Sequence, residues 1–222
     1  MYVPRNRIEA LGLRRGLPMI FVHTPKCGGS YIAHAIGEKR ERRCFTRKHP
    51  ALKGHKTYME YKTAMIPLGI DIDDFITFSV IRDPWSWHVS LYHYVKGLTG
   101  VDQRKNQKLH AIMNKLSFSE YLVWLENMED EFHDSYNAKN VCDWVIDDKG
   151  EIAVDFILRQ EKLDEDLLRF QKEYGILLNI PKKPVNASKH KAYQKYYSPA
   201  EVDYIAKRHK RDIDLFGYAF DG

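Results

Sequence analysis

Cysteine is scarce in this chain. Cys27, Cys44 and Cys142 are the only three in 222 residues. Their odd number and wide spacing argue against a disulfide framework and against zinc, which would want close pairs. Long apolar runs are missing too, and none approaches the roughly 20 residues of a membrane span. The N-terminus carries arginines but no extended apolar core before Pro18, and no signal peptide is read there. These absences lead to the expectation of a soluble, cytoplasmic protein in a reducing compartment. Charge of one sign is in small excess. A net +5 and a pI near 8.9, with Lys and Arg dispersed, are too mild for a nucleic-acid binder. They fit an anionic small ligand, or simply solubility. Internal repeats and low-complexity tracts are absent. So are two nucleotide signatures: Gly-x4-Gly-Lys-[Ser/Thr], and Gly-x-Gly-x-x-Gly after a strand.

What is present is ordinary for a globular domain, with 44% hydrophobic and 29% charged residues. The length fits one domain over 19–222 with a real core, preceded by a basic lead-in segment at 1–18. The chain is organised around Met19 to Ala35. Met19-Ile20-Phe21-Val22 is a short apolar run between prolines, which favours a strand. Gly28-Gly29 frees the backbone, Ser30 is a candidate N-cap, and Ile32, Ala33, Ala35 and Ile36 give the next segment an apolar face. A strand, a glycine loop and a helix gather backbone N–H groups at one place, which suits a phosphate, and Lys26 adds a full charge. An ordinary βα turn with a surface lysine reads the same way.

Further along, Cys44–Thr46 and Ala51–Lys53 read as short strands. Thr57-x-x-Glu60 is a capping box opening a helix to about Pro67, which leaves Gly54-His55 on the loop before it. Phe75 to Ile81 is a second buried strand, nearly all apolar as in a sheet covered on both faces. Arg82-Asp83-Pro84 follows it and opens a helix through Trp85, His88, Val89, Tyr92 and Val95. Residues 97–110 and 127–139 read as loops, with a Ser117-capped helix between them. Val141–Ile146 and Ile152–Leu158 read as strands around Asp147–Gly150. Leu163–Tyr174 is an amphipathic helix stopped by Gly175. Pro181–Lys191 is a basic loop, and one last helix runs from Ser198 to about Phe216. This alternation predicts an α/β protein with three α/β/α layers and a central, mostly parallel sheet. Ligands of such sheets bind outside the carboxyl ends of the strands, where Lys26 and Arg82 both fall.

Pro25-Lys26-Cys27-Gly28-Gly29-Ser30, taken together with Ser79-Val80-Ile81-Arg82-Asp83-Pro84-Trp85 through Ser90-Leu91-Tyr92, is far more specific than either part. On these motifs the chain resembles the carbohydrate-type (family 2) sulfotransferases, which use 3′-phosphoadenosine 5′-phosphosulfate, PAPS. The resemblance implies their P-loop-like fold and no metal. It reaches Gly54-His55, Phe156-x-x-Arg159-x-Glu161, Asn186-Ala187-Ser188 and Asp212 through Tyr218. The first motif, from Pro25 to Tyr31, is similar to the 5′-phosphosulfate loop, and Arg82 and Ser90 match the pair that holds the 3′-phosphate. Trp87 departs from the arginine many members carry. The N-terminus lacks the anchor of animal Golgi members, which implies a bacterial or viral form.

Two strand-end cations suit the two anionic ends of PAPS. Lys26 would stabilise the leaving phosphosulfate bridge, as in other in-line transfers. His55 is the candidate general base, matching a catalytic histidine of the uronosyl 2-O-sulfotransferases; a loop histidine that only packs is the other reading. Glu60 is already explained by its capping box, and His23 reads as a hydrogen-bonded structural residue. Ser188, Lys189 and Lys191 either close over the 3′-phosphate or adenine, or are solvated. Cys27 reads as a small loop residue, Arg159 and Glu161 as a structural pair, and Trp85 and Tyr92 as core. The expected partner is a glycan hydroxyl. A lipid, small-molecule or tyrosyl-peptide acceptor, or a PAP-binding module without transferase activity, are the alternatives.

Overall fold

The computed structural model describes residues 19–36, 50–100, 104, 106–127, 139–181 and 191–221. In chain order its strands and α-helices are β1 (Met19–Val22), α1 (Gly29–Ala35), α2 (Tyr58–Met65), β2 (Ile76–Ile81), α3 (Pro84–Lys96), α4 (Gln107–Lys115), α5 (Phe118–Glu126), β3 (Phe156–Arg159), α6 (Leu163–Tyr174), α7 (Pro199–Arg208) and α8 (Lys210–Phe216). The architecture is the expected α/β/α arrangement around a central parallel sheet. The chain divides into two compact units. The first joins the residues up to Arg82 with Val141–Asn186, and the second joins Asp83–Asn140 with Ala187–Gly222. Among the described residues no helix is long and apolar enough to cross a membrane.

The first unit holds the sheet, in the order β1-β2-β3. Both pairings are parallel: Val22 lies level with Ser79, and Ile81 with Arg159. β1 is buried throughout and β2 almost so, because an all-parallel sheet is covered on both faces. Ile20, Val22, Phe78, Val80 and Leu158 carry the core, joined by Ile32, Leu167 and Phe170 from the helices. The predicted capping box at Thr57 forms: its hydroxyl accepts from Glu60 N, and Glu60 accepts from Thr57 N. α2 then tightens into a 3₁₀ turn at Ile66–Leu68.

Several expectations differ from what is found. Val141–Ile146 is not a strand. Cys142–Trp144 forms a 3₁₀ turn, and only an isolated antiparallel bridge joins Ile146 to Ile152. Val141, Cys142, Trp144 and Val145 are all buried, and that spacing is helical rather than alternating. Ala51 and Leu52 likewise sit in a 3₁₀ turn, Pro50–Leu52. Part of the 97–110 loop is helical, since α4 starts at Gln107 and buries Leu109 and Met113. Cys44–Thr46, the charged run 39–43, 128–138 and 182–190 lie outside the described residues.

In the second unit, α3 is buried on nearly every side. Trp85 is core, its indole N–H donating to the Val202 carbonyl at 3.1 Å. The expected single C-terminal helix is broken at His209, whose backbone leaves helical geometry. The break places His209 in a buried polar chain. Tyr121 Oη lies 2.7 Å from His88 Nδ1, His88 Nε2 lies 2.8 Å from His209 Nε2, and His209 Nδ1 lies 2.9 Å from Asp212 Oδ2. Burial, then His209 and Arg208, hold His88 well below the usual histidine range, so it is neutral. Burial raises the Tyr121 phenol, which keeps its proton. The Asp212 carboxylate ends the chain as its acceptor, taking the hydrogen on His209 Nδ1.

Removing the final acceptor strands a buried N–H. Asp212→Ala should lower unfolding stability by about 2–3 kcal/mol in urea denaturation. Asp214→Ala, which breaks the exposed Lys210–Asp214 pair, should cost less than about 1 kcal/mol.

Candidate active site

The site is built at the carboxyl ends of β1 and β2. β1 ends at Val22, level with Ser79, and the chain turns at once, Thr24 N donating to the Val22 carbonyl at 3.1 Å. Two hydroxyls stitch these ends: Ser79 Oγ donates to the Val22 carbonyl at 2.7 Å, and Thr24 Oγ1 lies 3.0 Å from Ser79 Oγ. The Arg82 side chain then reaches the loop, and its Nη1 donates to the Lys26 carbonyl at 2.9 Å.

Lys26 has φ +63°, the only non-glycine positive φ among the described residues. L-residues adopt that conformation at a cost of roughly 1–2 kcal/mol. Lys26 is half-buried beside Arg82. Burial first, then the Arg82 charge, lower its ammonium pKa to about 8, with Cys27 pulling the other way. Such a group holds its proton more firmly when an anion lies near.

The rest of the loop is packed. Cys27 is fully buried and its thiol donates to the Pro25 carbonyl at 3.4 Å, the setting of a small loop residue. The residue capping α1 is Gly28 rather than Ser30. Gly28 has φ +85° and an ideal Cβ there would stand 3.2 Å from Leu163 Cδ2, while Ser30 is exposed in the first turn. Only a residue without a side chain takes that angle cheaply. Tyr31 is buried, and its hydroxyl faces the Asp164 carboxylate and the Pro181 carbonyl. Burial first, and Asp164 with it, push the Tyr31 phenol up to about 12.

His55 is exposed on the loop before α2, as expected, after Gly54 at φ +94°. Its Nδ1 lies 3.0 Å from the His23 carbonyl. A carbonyl only accepts, so Nδ1 carries the hydrogen and the neutral ring presents its lone pair on Nε2. Trp144 meets the ring edge-on at 6.4 Å. Lys26, Arg82, His55 and the Pro25–Tyr31 loop thus belong to one unit. Ser90 and Lys191 belong to the other: Ser90 is buried on α3 and Lys191 is exposed. Ser188 lies outside the described residues. Asp164 and the His23 carbonyl were missed by sequence reasoning. Asp164 reaches Tyr31 across the fold, and a backbone acceptor leaves no trace in residue identity.

The strain and the desolvated charge meet at one residue, so Lys26→Gly should raise stability by about 1 kcal/mol, and Lys26→Ala by less because its Cβ retains the strain. The charge part has a pH signature. Between about 8 and 10.5 the folded protein has released the Lys26 proton and the unfolded chain has not, so wild-type stability gains on Lys26→Gly as pH rises through that window. Urea denaturation of both proteins at pH 7 and pH 10 measures it; a constant difference would contradict a desolvated Lys26.

No curated protein and no solved structure matches the chain. The family model described as "Sulfotransferase family" matches residues 15–219, most of the sequence and all of the site residues above. A chain with this parallel sheet, this strand-end lysine and arginine, and that match belongs to the sulfotransferase family.

Proposed function

We propose that the chain moves a sulfuryl group from PAPS to a hydroxyl of a carbohydrate acceptor. The observation that supports this most is the Arg82–Lys26 contact at neighbouring parallel strand ends. The donor set fits a polyanionic donor. Lys26 is a compact charge already disfavoured by burial and by Arg82, and an anion beside both cations relieves that cost. Each charge-assisted hydrogen bond to phosphate is worth about 1.5–3 kcal/mol. PAPS supplies the sulfuryl group and leaves as PAP.

Lys26 and the loop from Pro25 to Tyr31 hold the 5′ end, where negative charge grows as the old S–O bond breaks. Lys26 stabilises that charge, and its position is set in advance by the loop conformation. Arg82 offers a planar fork to the 3′-phosphate; motif likeness alone adds Ser90, Ser188 and Lys191 as further partners. His55 Nε2 takes the acceptor hydroxyl proton as the new S–O bond forms.

Four measurements test the reading. Titration calorimetry should show PAP binding in preference to ATP, and labelled PAPS should transfer sulfate to a glycan in a panel. Lys26→Ala should reduce turnover at least 100-fold, about the loss on removing one preorganised oxyanion donor. His55→Ala should lose about 100-fold in kcat with PAP affinity unchanged, the usual size of a general-base contribution. PAP binding without transfer to any lipid, peptide or glycan acceptor would favour a nucleotide-binding module instead. Full activity in Lys26→Ala would sink the proposal.

A further inference from the structure

Gly28 and Gly29 are adjacent but are glycine for different reasons. Gly28 has the positive φ; Gly29 has none. What Gly29 lacks is space: an ideal Cβ there would stand 1.7 Å from His23 Nε2 and 2.4 Å from its two flanking ring carbons. The His23 imidazole therefore lies directly against the backbone of the loop that carries Lys26.

The same imidazole also meets His55. The His23 and His55 rings have centroids 4.2 Å apart, tilted by 52°, and the His23 carbonyl accepts from His55 Nδ1 at 3.0 Å. His23 is anchored from below. It shares a face of the β1 chain with Phe21, two residues earlier, and stacks on that ring at 5.1 Å. Phe21 stacks on Phe78 at 5.2 Å, and Phe78 meets Phe170 at 4.8 Å. A column of rings thus rises from the sheet core through His23 to His55.

We propose that His23 is a positioning residue for sulfuryl transfer, its imidazole wedged between Gly29 and His55 so that the Lys26 loop and the His55 ring move as one assembly. The role rests on the reading of Lys26 and His55 given above. It differs from a hydrogen-bonded core histidine because it links two loops far apart in sequence that must share one geometry. Reaction rates fall steeply when reacting groups are misplaced by about 1 Å.

The test has two arms. In the kinetic arm, His23→Ala lowers kcat at least tenfold while PAP affinity changes less than threefold. His23→Gln, whose amide reaches the place of Nε2, restores kcat to within threefold of wild type. In the structural arm, melting temperatures are compared for Gly29→Ala alone and in the His23→Ala background. Alone, the new Cβ meets the ring and lowers the melting temperature by about 4 °C or more; with the ring removed, the drop shrinks by at least half. Equal kcat in His23→Ala and wild type, failure of His23→Gln to rescue, or equal melting losses in both backgrounds overturns the role. The melting arm needs neither cofactor nor turnover. Wild-type protein that binds no PAP therefore overturns the functional reading, whereas additive melting losses in a PAP-binding enzyme overturn the wedge alone.

Discussion

The hydrogen bond from Arg82 Nη1 to the Lys26 carbonyl is the contact on which the site depends. It exists because β1 and β2 run parallel and in register, so their carboxyl ends and the residues just beyond them lie side by side. An antiparallel pairing of the same strands would send those ends to opposite edges of the sheet. The contact also fixes the loop. Turning the Lys26 carbonyl toward a guanidinium goes with a positive φ at Lys26, an unfavourable angle that the surroundings hold in place. Those surroundings are rigid: Cys27 is fully buried, and Ser79 and Thr24 tie the two strand ends together.

Sequence pattern revealed the parts of this protein that local physics controls. β1 and β2 were legible because strands buried on both faces must be apolar throughout. The helix starts at Tyr58, Phe118 and Pro199 were legible because capping boxes are local, and each of the three forms. Where distant residues decide the conformation, the pattern misled. Val141, Cys142, Trp144 and Val145 look like a short strand, yet a single buried 3₁₀ turn hides the same four side chains. α4 buries only Leu109 and Met113, too sparse a stripe to stand out in a polar stretch. The C-terminal helix shows continuous periodicity, but it bends at His209 where that ring meets His88 and Asp212.

The site divides along the same line. Lys26, Arg82 and His55 were visible as residue types at strand ends and before a capped helix. Their relation was not, since it depends on strand register. Likewise the glycine pair announced a tight loop but concealed its division of labour. The angle belongs to Gly28, and the space at Gly29 belongs to a histidine six residues earlier. Ser30 resembled an N-cap because serine is a good one; the cap is Gly28, whose backbone alone makes the turn.

A site of this kind works against the stability of the protein that carries it. The left-handed angle at Lys26, its partial burial and the neighbouring guanidinium all raise the free energy of the folded chain. None of them improves packing. Each would have the opposite effect on the proposed anion, which would meet a lysine already desolvated, already close to Arg82 and already fixed by a backbone contact. In the proposed transfer that arrangement would be complete before the reaction step, and none of its cost would fall within it. A softer loop with a fully hydrated lysine would fold more easily and would then have to reorganise as charge moved. The strain at Lys26 and its lowered pKa are two consequences of one choice, which is to place a lysine where the fold would favour glycine.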